Sequence, residues 1–388
     1  MMDGLLVRVG QGAAVAALVS FGVAATLAWL IVRTRHWHLH LTADHPGLGS
    51  QKHHEEATPR IGGVAILLGL MTGLLALRVP TGQWLGPVPG HGIALGGLLW
   101  ALLPLFALGM LEDLHQSVSV RLRLGLSLAA GALAWGVADV RIGALGLPGV
   151  DGWLRTLPLL SAVLTAVAVA GLVHAMNIID GANGLLAGVS LLVFGSLAWV
   201  AAQFGEVALL RLAMLGAAAA AGFGVLNFPR GRLFCGDAGA YLIGFLCAAL
   251  VILLVSRQSA ISPWFALALV LHPVVETLYS AWRRFRQGMK PTEPDARHMH
   301  SLWMAVLRAR TARGEAPPLL GTNAGAAWRT LLLAAVPTVL AAAMPTRQGG
   351  LQLLCAAYTA LFIFVVRRLQ AYVEAPEVTA DITPSVNS

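Results

Sequence analysis

Charge is scarce in this chain. Only 11% of its 388 residues are Asp, Glu, Lys or Arg, against roughly 25% in soluble domains. Together with 57% hydrophobic residues and a mean hydropathy of +0.75, the shortfall excludes an ordinary soluble fold. It points instead to many membrane spans of about 20 apolar residues each. Cysteine is also sparse. Cys235, Cys247 and Cys355 are odd in number and fit no metal-ligand spacing, so no disulfide framework is implied. Cys235 and Cys247 read as packing residues. There is no internal repeat. No aromatic–basic stripe accompanies the net charge of +8, so nucleic acid is not an expected partner.

What charge there is clusters. Arg33, Arg35, Lys52 and Arg60 follow the first apolar run, and Arg283, Arg284, Arg286, Lys290, Arg297, Arg308, Arg310 and Arg313 follow the ninth. Loops 79–92 and 142–156 carry few basic residues. Basic loops stay in the cytoplasm, which orients the chain with its N-terminus outside and its C-terminus inside. The run 11–32 is too long for a signal-peptide core and is followed by Arg33 and Arg35, so it reads as a retained helix.

Hydrophobic length predicts about eleven spans, near 11–32, 61–78, 93–111, 122–139, 157–177, 185–204, 208–227, 239–256, 261–282, 329–345 and 349–366. The expected fold is an all-α polytopic membrane bundle. One membrane domain covers 1–373, and 374–388 form a polar, disordered tail. On this map the inside loops are 33–60, 112–122, 178–184, 228–238 and 283–328.

Four acidic motifs all fall on that one side: Glu112-Asp113, Asn177-Ile-Ile-Asp180-Gly-Ala-Asn183-Gly184, Phe234-Cys-Gly-Asp237-Ala-Gly239 and Pro294-Asp295-Ala-Arg297-His298-Met-His300. Acids at a membrane edge are disfavoured unless they serve a purpose. Glu112 and Asp113 sit at a helix C-terminus, where the backbone already presents negative charge and a cation is wanted; the plain alternative is solvated loop acids. Asn177, Asp180 and Asn183 gather carboxylate and amide groups around a turn that two glycines allow, although Asn, Asp and Gly also make ordinary turns. Asp237 sits where an N-cap would be. Its flanking glycines suit a magnesium site beside a diphosphate, because Mg²⁺ takes one or two carboxylates plus substrate phosphates.

In an extended segment His298 and His300 face one way, and with Arg297 they suit phosphate binding; as a pair they make no zinc site. Lys52, His54 and Arg60 put positive charge at headgroup level, as would any cytoplasmic flank. His272 and Glu276 lie one helical turn apart and are expected to pair, with Glu276 supporting the site rather than touching substrate. His36, His38 and His40 read as a headgroup-level polar stretch.

Taken together, the motifs resemble those of the polyprenyl-phosphate N-acetylhexosamine-1-phosphate transferases, glycosyltransferase family 4. The resemblance runs from about Asp44 to His300. The family's Pro-Arg-x-Gly-Gly matches Pro59 to Gly63, and its Asp-Asp pair falls on Glu112-Asp113. Its Asn-x-x-Asp-Gly-x-Asn/Asp-Gly-Leu run matches Asn177 to Leu185. Its Phe-x-Gly-Asp-x-Gly-Ser falls on Phe234 to Ala240, its Pro-x-x-Asp on Pro273 to Glu276, and its His-x-His-His on His298, His300 and Ser301. The departures are Glu112, Ala240 and Ser301. The pattern is closer to members that begin O-antigen or other surface polysaccharides than to the muramyl-pentapeptide branch.

The resemblance implies transfer of N-acetylhexosamine-1-phosphate from a UDP-N-acetylhexosamine to undecaprenyl phosphate, releasing UMP, at the cytoplasmic face of a bacterial inner membrane. It implies Mg²⁺, or Mn²⁺, on Asp237. Glu112, Asp113 and Asp180 are the expected catalytic acids. Asn177 and Asn183 are placed on the nucleotide, Arg297, His298 and His300 on the phosphates, and Lys52, His54 and Arg60 on the lipid headgroup. The expected partners are these two substrates and the bilayer, with a homodimer left open. A flippase using buried acids and an inactive scaffold for polysaccharide assembly are the alternatives.

Overall fold

The computed structural model describes residues 2–44, 57–77, 94–289 and 297–376. Lys52, His54 and Asp295 lie outside the described residues, as does the tail beyond 376. Among the described residues the chain is α-helical apart from one two-residue antiparallel pairing, β1 (Ala43–Asp44) with β2 (Thr58–Pro59). In order the helices are α1 (Met2–Arg33), α2 (Arg35–Thr42), α3 (Gly62–Ala76), α4 (Leu95–His115), α5 (Val120–Val137), α6 (Val150–Thr156), α7 (Pro158–Ile179), α8 (Leu185–Gln203), α9 (Val207–Asn227), α10 (Gly236–Arg257), α11 (Pro263–Leu269), α12 (Leu271–Arg286), α13 (Met299–Ala312), α14 (Gly321–Ala343) and α15 (Gln348–Val373).

Among the described residues nine helices are long and apolar enough to cross a membrane: α1, α4, α5, α7, α8, α9, α10, α14 and α15. This is a multi-pass membrane protein. Two of the eleven expected spans depart from straight crossings. The run at 261–282 is broken into α11 and α12, bent by 74°. Val270 sits at the break with φ −111° and ψ 22°, and α12 then carries Arg283, Arg284 and Arg286 in its last turn, charges that do not enter hydrocarbon. The second run yields α3, of only 15 residues, which at 1.5 Å per residue is about 22 Å long, short of the roughly 30 Å hydrocarbon core.

Local chemistry fixes several helix starts. Ser119 caps α5 by accepting from Leu122 N at 3.3 Å, and Ser262 caps α11 by accepting from Trp264 N at 3.3 Å. Pro158 and Pro263 open α7 and α11, where a missing N–H leaves nothing unsatisfied.

The core is built around α10. Nearly every residue from Gly236 to Leu254 is buried, enclosed by α3, α4, α7, α8, α9 and α11. Small residues make this approach close, as is usual where lipid supplies no hydrophobic drive between helices. A Cβ on Gly109 of α4 would come within 2.5 Å of Ala238 Cα, and one on Gly244 within 2.7 Å of Val173 Cα on α7. Gly63 of α3 lies directly on the Gly239 backbone. The outward faces are apolar and exposed, with Trp100, Leu159 and Phe285 among the most open side chains, as expected of surface that meets lipid.

Candidate functional site

The start of α10 is where the motifs meet. Gly236 turns the chain at φ +75°, and its α-carbon faces Arg60 O and the Asp113 carboxylate with no room for a side chain. Residues Pro59 to Gly63 run alongside: Phe234 N donates to Pro59 O, Gly62 N to Phe234 O and Gly63 N to Cys235 O, each at 2.9 Å. The end of α4 comes in from the other side. Asp113, 1% exposed, accepts from Asp237 N at 2.8 Å and Ala238 N at 3.1 Å. It thus caps α10 from another helix, satisfying orphan donors at a positive helix end. Asp237 is therefore not the cap of α10 but lies in its first turn, with Cys235 at the cap position.

Two arginines bind this pair of acids together. Arg60 reaches Asp113 Oδ1 through Nε at 3.2 Å and Asp237 Oδ1 through Nη2 at 3.3 Å. Arg123, from the apolar helix α5, reaches Asp237 Oδ2 at 3.1 Å and Glu112 Oε1 at 3.5 Å. Glu112 also accepts from Val118 N at 2.8 Å, closing the α4–α5 turn. Tyr241 OH donates to Asp237 Oδ2 at 3.0 Å. Sequence reasoning missed Arg123 and Tyr241. An arginine inside an apolar span and a tyrosine one helical turn after the aspartate were the available signals.

Asp180 closes the group. It follows α7, and among the described residues no hydrogen bond reaches its carboxyl group. Burial holds its pKa well above the ordinary carboxylate range. Nearby Asp113 and Asp237 raise it further, and Arg60 opposes them. Among the described residues, then, four acids from three segments face two arginines. That excess of negative charge suits a divalent cation.

The other expected residues divide. Asn177 is half-buried at the end of α7. Asn183 turns from the acids: its Nδ2 donates to Pro229 O at 3.0 Å and its backbone N donates to Asn323 Oδ1 at 2.7 Å. Next to it, Gly184 N donates to Asn227 Oδ1 at 2.6 Å, and Asn227 Nδ2 donates to Leu233 O at 2.8 Å, so Asn227 ties the Asp180 turn to the Asp237 loop. The Nε2 corner of His300 points at Gly181, leaving no space for a Cβ. His298 stacks on His300 at 5.8 Å and 7°, and its Nδ1 donates to Glu276 Oε1 at 3.0 Å. The expected His272–Glu276 pair does not form. His272 bonds instead to Tyr358 OH at 2.8 Å, and Glu276 takes His298 together with Met299 N at 3.3 Å. Arg297 pairs at 3.9 Å with Glu374, outside the acidic group.

A cavity of about 1010 Å³ opens beside Asn183, Phe234 and Thr58. Among the described residues its wall carries Arg33, Arg35, Arg230, Arg232 and Arg308 and no acid. A positive, concave surface of this kind concentrates anions. The acidic group and this cavity share the Phe234 loop.

A sequence model described as "Glycosyl transferase family 4" matches residues 95–255, which contain Glu112, Asp113, Asp180 and Asp237. An undecaprenyl-phosphate alpha-N-acetylglucosaminyl 1-phosphate transferase of Yersinia pestis is 31% identical over 261 residues, covering 66% of this chain and 67% of that protein. The chain belongs to glycosyl transferase family 4. Other similar members are a probable undecaprenyl-phosphate N-acetylglucosaminyl 1-phosphate transferase of Bacillus subtilis (strain 168), 27% identical over 66% of this chain and 68% of that one, and a decaprenyl-phosphate N-acetylglucosaminephosphotransferase of Mycolicibacterium smegmatis, 30% identical over 64% and 65%. Within this family-4 chain, every member of the acidic group lies inside the matched region, whereas Arg60, His298 and His300 join it from outside.

Proposed function

We propose that the protein transfers N-acetylhexosamine-1-phosphate from a UDP-sugar to undecaprenyl phosphate, giving the lipid-diphosphate sugar and UMP. One observation carries this reading. An acid-rich group crossed by two arginines sits beside an arginine-walled cavity at one end of an apolar bundle, where a soluble anionic donor can meet a lipid phosphate. N-acetylglucosamine, the sugar in the relatives' names, is the first donor to test. By the positive-inside rule the clustered basic residues support a cytoplasmic setting for this end, and the product would start O-antigen or another envelope polysaccharide.

The lipid phosphate oxygen attacks the sugar-bearing phosphorus, and the bond to the UMP phosphate breaks. Little covalent work falls to the protein; positioning and charge neutralisation carry such a transfer. Among the described residues no three His, Cys, Asp or Glu side chains are preassembled as a metal cage. That fits Mg²⁺, which keeps waters and leans on substrate phosphates. Asp237 and the unbonded Asp180 would hold it, and when bound it neutralises the diphosphate and eases departure of UMP. Asp113, with both oxygens occupied, fixes the α10 end, and Glu112 fixes Arg123. Arg60, with Lys52 and His54, would receive the lipid headgroup. Asn177 and Asn183, the latter on the cavity wall, would orient the nucleotide, whose phosphates the cavity arginines attract. His298, held by Glu276, and His300, stacked on it, would meet the sugar-side phosphate with Arg297.

The test uses purified protein with undecaprenyl phosphate, a panel of UDP-sugars and Mg²⁺. UMP and a lipid-linked sugar should form together, and EDTA should abolish both. Lipid movement in proteoliposomes without UMP would indicate a flippase, and neither activity would indicate a scaffold.

A further inference from the structure

Asp237 is held by more donors than a lone carboxylate needs, and they are unevenly spread. Oδ2 accepts from both Arg123 Nη1 at 3.1 Å and Tyr241 OH at 3.0 Å. Oδ1 accepts from Arg60 Nη2 at a longer 3.3 Å. Each carboxylate oxygen offers about two lone-pair sites. Oδ2 is therefore filled by its two donors, and Oδ1 keeps a site for another partner.

Tyr241 is what makes the two oxygens unequal. It lies four residues after Asp237 on α10, so its ring rises along the same helix face. The residue is fully buried, and its ring meets His174 edge-on at 5.8 Å. His174 is itself fixed, its Nε2 bonded to Ser127 Oγ at 3.0 Å. The ring is therefore held in place with its hydroxyl on Asp237 Oδ2. Ala240 occupies the serine position of the motif, which makes Tyr241 the first side-chain hydroxyl after Asp237 on α10.

We infer that Tyr241 is a positioning residue that locks the Asp237 carboxylate, so that Oδ1 alone is presented to a divalent cation. This rests on the role proposed above for Asp237. The Tyr241→Phe variant keeps the ring and its packing and removes only the hydroxyl.

The experiment measures Mn²⁺ binding to purified protein by electron paramagnetic resonance, without substrates, alongside thermal melting. Tyr241→Phe should bind Mn²⁺ about tenfold more weakly at an unchanged melting temperature. Asp237→Asn should lose binding, and adding Tyr241→Phe to it should change nothing more. Unchanged Mn²⁺ affinity in Tyr241→Phe, or losses that add in the double variant, would overturn the role of Tyr241. Normal binding in Asp237→Asn would instead remove Asp237 from the metal. A second measurement uses the unmutated chain. With 3-fluorotyrosine in place of its four tyrosines, the Tyr241 fluorine resonance should shift on adding Mg²⁺, and a line that stays still counts against the inference.

Discussion

Helix α10 has an ionic group at each end, and the two are built differently. At its last turn Arg257 lies 3.8 Å from Glu206, which also accepts from Gln258 Nε2 at 2.7 Å. Among the described residues one acid meets one arginine there, with an amide beside them. About 33 Å away, at 1.5 Å per residue, the first turn gathers Glu112, Asp113, Asp180 and Asp237 around Arg60 and Arg123. That group includes a carboxyl group with no hydrogen bond from the described residues and a pKa raised by burial and by its neighbours. The end where Glu206 meets Arg257 and Gln258 reads as an anchor for the α8–α9 turn. The end with surplus negative charge is organised for something that arrives from outside the chain.

Substitutions at the two ends should therefore part company. Asp237→Asn is expected to lower the transfer rate by about a thousandfold while the protein inserts and melts normally; near-normal UMP release would erase the distinction between the ends. Arg123→Ala should lower the rate by about a hundredfold, since it releases Glu112 and Asp237 at once, and the loss should appear in kcat more than in KM. Gly181→Ala forces His300 off the turn beside Asp180, for about a tenfold loss in kcat/KM. Glu206→Gln, at the far end, should leave turnover within about twofold and reduce stability by about 1–3 kcal/mol, seen as a lower melting temperature. A large kinetic loss in that last variant would show that both ends serve the reaction.

The spans and the acids were readable from composition and hydropathy, because both signals are local. Nine of the spans follow directly from apolar length. The 74° break at Val270 did not, since hydropathy averages over the residues where the direction changes. The closeness of Asp113, Asp180 and Asp237 was expected from their shared side of the membrane. How they are held was not, because it depends on long-range contacts: Asp113 capping a helix that begins over a hundred residues later, and Arg123 reaching out of a span where its charge had been passed over. The sequence suggested a His272–Glu276 pair from one-turn spacing. In the structure each has a partner from another segment, Tyr358 and His298, that spacing along one helix cannot reveal. Asn183 was read with Asp180 because they share a turn, yet that turn directs the two side chains to different places.

The enclosure of α10 bears on how the protein is made. Ribosomes deliver a chain from its N-terminus, so α3, α4, α7, α8 and α9 are in the bilayer before α10 has been synthesised. Those five helices, together with α11, surround it on every side. They must either wait apart or reopen to admit the latecomer, and until it arrives Asp113 has no α10 amides to hold. Completion of the acidic centre thus waits on the insertion of one helix.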